Sequence, residues 1–266
     1  MKPFLKWAGG KYRVLPHILA ALPEGNRLIE PFVGSGAVFI NTRFDNYLLA
    51  DTNPDLINLF RQLQGEGQEF INYCQSFFVA DNNNEAAFYQ FRTDFNSTTD
   101  TRYKSALFVY LNRHCFNGLC RYNAKGGFNV PFGRYKAPAL PRAEFISFYE
   151  KSIHSTFQVS DFRATMELAV PGDVVYCDPP YVPLSATSNF TSYAAGGFGM
   201  KEQQDLAAMA EKLSERGITV LISNHDTLFT NDAYKSAKIF KFDVQRNISA
   251  DSANRNKAAE LLAVFS

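Results

Sequence analysis

The segment Asp173-Val-Val-Tyr-Cys-Asp-Pro-Pro-Tyr181 leaves the chain few ways to fold. Its short, mostly apolar run stops at an acid and two consecutive prolines, which suits a strand buried on both faces better than a helix. Neither proline has an N–H to continue a ladder, so the strand Asp173–Cys177 ends there and the backbone leaves the sheet. Three more runs share the form: Arg27–Phe32 leads into Val33-Gly-Ser-Gly, Tyr47–Ala50 into Asp51, and Ile218–Ser223 into Asn224-His-Asp. Buried strands alternating with helix-like stretches predict a doubly wound α/β sheet with its site at the strand ends. Lys201–Arg216 reads as one of those helices, with Leu206, Met209, Ala210 and Leu213 on one face and Gly217 suited to its C-terminal cap.

The chain has 266 residues, enough for one large domain or two small ones. Its 46% hydrophobic content and 25 Phe exclude a disordered chain. The longest apolar run, Ala106–Leu111, is far short of the roughly 20 residues a membrane helix needs. Met1-Lys-Pro-Phe-Leu-Lys-Trp7 carries charge where a signal peptide needs an apolar stretch. Cys74, Cys115, Cys120 and Cys177 form no CxxC pair and suggest no disulfide framework. The expectation is a soluble cytosolic protein.

Between Asp51 and Asp178 the rhythm of strands breaks. Residues 54–95 look helical, with Leu56, Leu59, Phe60 and Leu63 as an apolar face, and Tyr103–Asn112 reads as a second, strongly apolar helix. From Arg113 to Arg142 the composition turns to Gly, Asn, Pro, aromatic and basic residues, which favours a long ordered loop or hairpin. We read 54–144 as a module inserted into an α/β domain made of 1–53 and 145–266. Overall charge is nearly balanced, 27 basic against 26 acidic residues, but its distribution is not. Residues 54–100 hold two bases and seven acids, whereas 101–143 hold eight bases and no acid. Such asymmetry is the footprint of a face that meets a polyanion, although an ordinary solvated surface reads the same way.

Three motifs carry chemistry. In Pro31-Phe-Val-Gly-Ser-Gly36 the glycines Gly34 and Gly36 allow a tight turn and close approach to a ligand, but Phe39 stands where a dinucleotide fingerprint has its third glycine. Asp51, at the next strand end, can accept hydrogen bonds from both ribose hydroxyls of a nucleoside, or can simply open the helix that follows. Asp178-Pro-Pro-Tyr181 is the most informative. The prolines leave carbonyl acceptors without adjoining donors, the Asp178 carboxylate adds more, and Tyr181 offers a face for stacking. That set suits the exocyclic amine of a nucleobase, whose lone pair is delocalised into the ring. Acceptors on both N–H bonds favour a more tetrahedral nitrogen with its lone pair turned to an electrophile. Lys6-Trp-Ala-Gly-Gly-Lys11 flanks a glycine bend with an aromatic face and a cation, without the spacing of a phosphate-binding Walker loop.

FLKWAGGK, EPFVGSG, the acid at Asp51, LNRHCFNGLCRYN, FNVPFGRYK, VVYCDPPYVPLSAT and LISNHDT together resemble the Dam-type DNA adenine-N6 methyltransferases, in the family's order and from Phe4 to Leu262. The resemblance implies a Rossmann-like methyltransferase sheet with an inserted, mainly helical DNA-recognition domain carrying a basic hairpin. It implies S-adenosylmethionine (SAM) as donor and double-stranded DNA, within GATC, as substrate. By position, Trp7, Lys11, Phe32, Asp51 and Asp178 would form or border the donor pocket with Gly34 and Gly36. Asp178, Pro179 and Tyr181 would hold the target adenine. An incomplete glycine pattern fits, because SAM has no pyrophosphate to cradle. The resemblance also implies that Phe116 intercalates beside Asn117 where the adenine leaves the stack. Leu119, Arg121 and Pro131 would touch base edges, Asn123 and Arg134 would lie nearer the backbone, and Lys6 would reach a guanine.

The chain departs from relatives in carrying Phe116 where Tyr is common, and in His114-Cys115. His114, Cys115 and Cys120 lack an evident fourth ligand for zinc, so no metal is expected. Lys104, Lys125 and Lys136 are read as phosphate contacts, His225 as a structural histidine and Cys177 as core. Methylation of cytosine N4 or of guanine N2 in ribosomal RNA is the nearest alternative, and a non-catalytic DNA-binding repressor is the alternative from another class. The expected protein is a monomer.

Overall fold

The computed structural model describes residues 1–182, 198–245 and 257–266. Its strands are β1 (Arg27–Glu30), β2 (Asn46–Asp51), β3 (Ser155–Val159), β4 (Asp173–Cys177), β5 (Thr219–His225), β6 (Lys238–Gln245) and β7 (Lys257–Phe265). They form a seven-stranded sheet in the order β3-β2-β1-β4-β5-β7-β6. β1 runs parallel to β2 and β4, and β4 parallel to β5, whereas β7 is antiparallel to both β5 and β6. All five residues of β4 are buried, Asp173 through its ion pair with Arg27, which is why this segment reads as a mostly apolar run. The Rossmann-like expectation therefore holds, with β5 extending two residues further than expected, to His225.

The helices are α1 (Leu15–Ala21), α2 (Pro54–Glu66), α3 (Gln68–Gln75), α4 (Glu85–Ser97), α5 (Thr101–His114), α6 (Arg142–Ser152), α7 (Phe162–Glu167), α8 (Met200–Ser214) and α9 (Leu228–Ala233). Asn53 caps α2, its side chain accepting from the N–H groups of Asp55 and Leu56. α8 closes as its sequence predicts: the Ile218 N–H reaches Leu213 O and the Gly217 N–H reaches Ser214 O, with Gly217 at φ 76°.

Two compact units divide the chain. The first comprises 1–12, 33–42 and 51–159, and the second 13–32, 43–50 and 160–266. Residues 54–144 fall wholly within the first. That unit is built on phenylalanine: Phe4 packs on Phe145 with ring centroids 4.0 Å apart, and Phe60 on Phe148 at 4.7 Å. α5 is its central helix, buried continuously from Ser105 to Asn112 and packed against α2, α3 and α4. The second unit has an aliphatic core in which Ile29, Val175, Val220 and Ile222 from the sheet meet Leu206, Ala210 and Leu213 of α8. Phe32 packs, partly buried, against this core.

Candidate functional site

In the first unit the segment after Phe4 turns at Trp7, whose carbonyl accepts from the Gly10 N–H at 3.3 Å. Lys11 is buried and its Nζ donates to the Gly9 carbonyl at 2.9 Å. Gly34 sits at φ 48°, and a β-carbon there would lie 2.9 Å from Trp7 Nε1, so the glycine is what lets the indole approach the loop. Gly36, at φ 72°, closes the turn by donating to Val33 O at 2.8 Å. Asp51 ends β2 and accepts from the Gly34 N–H at 3.2 Å and the Asn53 N–H at 2.9 Å. Burial raises the Asp51 pKa above its usual value, and these backbone donors offset the shift only in part. Asn53, not Asp51, caps α2, which removes the helix-opening reading of Asp51. A glycine-lined turn, an indole and a half-buried carboxylate fit the adenosine and sulfonium parts of SAM.

In the second unit Asp178 follows β4 directly, Pro179 is buried and Tyr181 is half-buried. The Tyr181 hydroxyl donates to Glu260 Oε2 at 3.1 Å, and the His225 ring meets the tyrosine edge-on, centroids 4.7 Å apart at 78°. Burial and the negative charges of Asp178 and Glu260 push the phenol well up in pKa, so it stays protonated. His225 Nδ1 lies 2.6 Å from Val182 O, which makes it the protonated ring nitrogen, since a carbonyl only accepts. Phe32 stacks on Phe162 at 5.5 Å and meets Phe198 edge-on at 5.4 Å. Cys177 is a buried core thiol whose pKa is pushed up by burial. Glu260 was not legible in the sequence. It reaches this place only because β7 pairs with β5 in a register that sets Glu260 opposite His225. The motif residues Pro183–Thr187 lie outside the described residues.

The expected reading residues lie in the first unit, on a compact loop after α5. Isolated antiparallel bridges Cys115–Phe132 and Tyr122–Phe128 draw it into a hairpin. At its near end Phe116 is 51% exposed, a large apolar ring presented to solvent, and Asn117 is left-handed at φ 54°. The Phe116 N–H is tied to Pro131 O at 2.8 Å and the Asn117 N–H to the Tyr135 hydroxyl at 3.1 Å. Leu119 is half-buried, while Arg121, Asn123, Pro131 and Arg134 are exposed. Arg121 is oriented by Asn129, with Nε on Oδ1 at 2.8 Å and a terminal nitrogen on the carbonyl at 3.2 Å. Asn123 instead serves its own turn, accepting from the N–H groups of Lys125 at 2.9 Å and Gly127 at 3.0 Å.

Lys6 is held from both sides by buried Asn112, which accepts its N–H at 2.9 Å and donates to its carbonyl at 2.8 Å. Its ammonium lies 4.1 Å above the Tyr135 ring, and burial with nearby Arg113 lowers its pKa. Some of the positive charge meets acids of the preceding segment: Arg102 pairs with Glu66 at 2.7 Å, Lys104 with Asp55 at 3.0 Å and Arg134 with Glu85 at 3.7 Å. Lys104, expected as a phosphate contact, is paired here with Asp55. His114 is buried, stacks on Tyr110 at 3.9 Å with Nδ1 2.8 Å from Tyr110 O, and has a pKa lowered by burial to about 4. Cys115 and Cys120 are pushed up to about 12 by burial. Among the described residues no cluster of His, Cys, Asp or Glu is arranged to hold a metal, and no helix is long and apolar enough to cross a membrane.

Comparison with known proteins identifies the family. Residues 7–248 match the family described as D12 class N6 adenine-specific DNA methyltransferase. The DNA adenine methylase of Vibrio cholerae is 51% identical over 265 residues, covering 99% of this chain and 96% of its own. The DNA adenine methylase of Serratia marcescens is 50% identical, with 99% and 98% covered, and that of Escherichia coli K12 is 48% identical, with 99% and 95% covered. The chain belongs to the D12 class and is a SAM-dependent, adenine-specific DNA methyltransferase.

Proposed function

We propose that the protein methylates N6 of an adenine flipped out of duplex DNA, within GATC, in the bacterial or phage-infected cytoplasm. The observation that carries this reading is the DPPY turn. It sits directly after a fully buried strand, with Tyr181 anchored by Glu260 and its carboxylate and carbonyl acceptors on one short segment. SAM supplies an electrophilic methyl group on a positively charged sulfur. Trp7, Lys11, Phe32, Gly34, Gly36, Asp51 and Asp178 would hold it, with Asp51 accepting from the ribose hydroxyls. Asp178 and the Pro179 carbonyl accept hydrogen bonds from the two amino N–H groups of adenine and orient the nitrogen lone pair, and the nitrogen sheds one of those protons once methylated. Tyr181 stacks on the base. Orientation and electrostatics then supply most of the acceleration, since the chain forms no covalent bond and the transfer calls on no metal.

Residues 54–144 act in this reading as the target-recognition module. Phe116, exposed on a tied loop, fills the gap left by the adenine beside Asn117. Arg121 and Lys6 contact guanine edges, Leu119 and Pro131 lie against thymine methyls, and Asn123 and Arg134 sit near the phosphates. The protein works as a monomer. The test is incubation with labelled SAM and two duplexes that differ in a single GATC, followed by identification of the nucleosides by mass. N6-methyladenine in the GATC duplex alone is the expected result. Label in both duplexes would discard the sequence assignment, and turnover by folded Asp178→Ala at the normal rate would remove Asp178 from its role.

A further inference from the structure

The DPPY turn has an unusual problem of support. Pro179 and Pro180 have no N–H groups, so this stretch of main chain cannot be fixed from its donor side. The second unit solves it with buried side chains. Gln203, in the first turn of α8, donates from Nε2 to the Pro180 carbonyl at 2.7 Å. Asn224, on β5, accepts the Val182 N–H on Oδ1 at 3.1 Å. The two amides are joined, Asn224 Nδ2 donating to Gln203 Oε1 at 3.0 Å. Tyr234 completes the group, its hydroxyl accepting from Asn224 Nδ2 at 3.1 Å and lying 3.4 Å from Gln203 Oε1. Gln203 is 1% exposed, and Asn224 and Tyr234 are wholly buried.

We propose that Gln203 and Asn224 are positioning residues for methyl transfer, a buried amide pair that fixes the main chain on either side of Tyr181. The inference rests on the reading of Asp178, Pro179 and Tyr181 as the adenine site. Gln203 is used at both ends, its Nε2 on the Pro180 carbonyl and its Oε1 accepting from Asn224. Asn224 Oδ1 also accepts its neighbour's N–H, from His225 at 2.9 Å, so each end of Asn224 has two partners and its orientation is determined. With the Pro180 carbonyl claimed by Gln203 and the Val182 N–H by Asn224, the peptide groups flanking Tyr181 have one available setting. One lone pair of the Pro180 carbonyl is thereby occupied, while the acceptor duty toward substrate is assigned in this reading to Asp178 and the Pro179 carbonyl.

Leu206, Ala207 and Ile222 belong to the same core as Tyr234, and apolar residues in place of Gln203 and Asn224 would leave the Pro180 carbonyl and the Val182 and His225 N–H groups without these partners. What apolar packing cannot do is fix a carbonyl and an N–H in direction. A misplacement on the order of 1 Å at a reacting centre can cost about 10²-fold in rate. A pair whose bonds run through each other should also behave as one unit when cut at either end.

The test uses full-length protein and a GATC duplex, with single-turnover rates at saturating SAM and DNA expressed per SAM-binding molecule. Gln203→Met keeps the volume and deletes the bonds to Pro180, Asn224 and Tyr234, and Asn224→Ala deletes the other half. Gln203→Ala replaces Gln203→Met if the latter does not fold. Each is expected to slow the methyl-transfer step about 10- to 100-fold while SAM and DNA dissociation constants stay within about threefold. The double variant is expected to be no more than about threefold slower than the slower single one. Wild-type rates per SAM-binding molecule, or losses confined to affinity, or single effects that multiply in the double variant, would overturn the proposal. Asp178→Ala run alongside separates the two levels: if it turns over normally the adenine-site reading itself fails, and if it is inactive while the amide variants are normal only the clamp fails.

Discussion

Gly118 faces Lys6 so closely that a β-carbon on the glycine would overlap the lysine side chain, meeting its Cβ, Cγ and Cδ. The glycine is also left-handed, at φ 62°, and its carbonyl accepts from Asn112, the residue that holds Lys6 by its main chain. Gly118→Ala therefore forces Lys6 to move and adds backbone strain of about 1 kcal/mol. We expect it to act as a specificity variant, reducing discrimination at the guanine assigned to Lys6 about as much as Lys6→Ala does. Competition between a GATC duplex and one altered at that guanine measures this. Undiminished discrimination would separate Gly118 from the reading of that base.

Asp51 makes opposite predictions for the free and the SAM-bound protein. Its pKa is raised in the folded state, chiefly by burial, so its contribution to stability is present at low pH and lost as pH rises through the unfolded and then the folded value. Removing the charge with Asp51→Asn is thus expected to raise the Tm of the unliganded protein at pH 7. Donation from ribose hydroxyls, by contrast, favours the charged carboxylate. SAM affinity should fall as pH drops through the raised pKa, beginning above the range of an ordinary aspartate, and Asp51→Asn should flatten that dependence and weaken binding about tenfold at neutral pH. Equilibrium SAM binding between pH 4 and 8 is the measurement.

His114 carries a stability dependence of the other sign. Its pKa is lowered to about 4 from an ordinary 6.5, by burial first and then by the positive charges of Arg113 and Lys6. A depressed folded pKa means that the stability is complete above the unfolded value and is lost as pH falls from 6.5 toward 4. The shift corresponds to roughly 3 kcal/mol at most. Urea unfolding at pH 7 and pH 4.5 should show a larger acid loss for the wild type than for His114→Phe, which keeps an aromatic ring on Tyr110 without a titrating group. An equal loss in both would place the acid sensitivity elsewhere.

The parallel half of the sheet was legible because its strands are buried on both faces and end at Gly, Pro or Asp, so hydrophobicity and chain breaks mark the same positions. The rest depends on pairing. β3 buries only Phe157 fully, and β6 breaks its apolar residues with Lys241 and Asp243 along an antiparallel partner, so neither shows an unbroken apolar run. Asp51 and Asp178, at strand ends, could be named as candidates from their motifs. Glu260, Gln203 and Asn112 could not, since each is a polar residue on an otherwise ordinary strand or helix. Each gains its role from a partner 79, 23 or 106 residues away. The segmental charge asymmetry also misled in part, because Arg102 and Lys104 neutralise acids of the segment before them. A sequence count cannot distinguish an internal pair from a surface field.

Tyr181 separates stacking from anchoring. Its ring offers the face assigned to adenine, and its hydroxyl ties that ring to Glu260 while His225 meets it edge-on. Tyr181→Phe keeps the face and cuts the tie, so we expect a loss of about two- to fivefold in the methyl-transfer rate, in line with one hydrogen bond of about 0.5–1 kcal/mol. Tyr181→Ala removes the face as well and should cost a further factor in the range of about 5 to 150, the worth of one base–aromatic stack. Glu260→Gln keeps an acceptor for the phenol and should fall between wild type and Tyr181→Phe. Because the phenol pKa lies well above its usual value, neither Tyr181 nor its loss should add a basic limb to the pH–rate profile below pH 10. Rates on one GATC duplex for the three variants, taken across pH 6 to 10, test the assignment. A Tyr181→Phe rate as low as that of Tyr181→Ala would mean that the hydroxyl rather than the ring does the work.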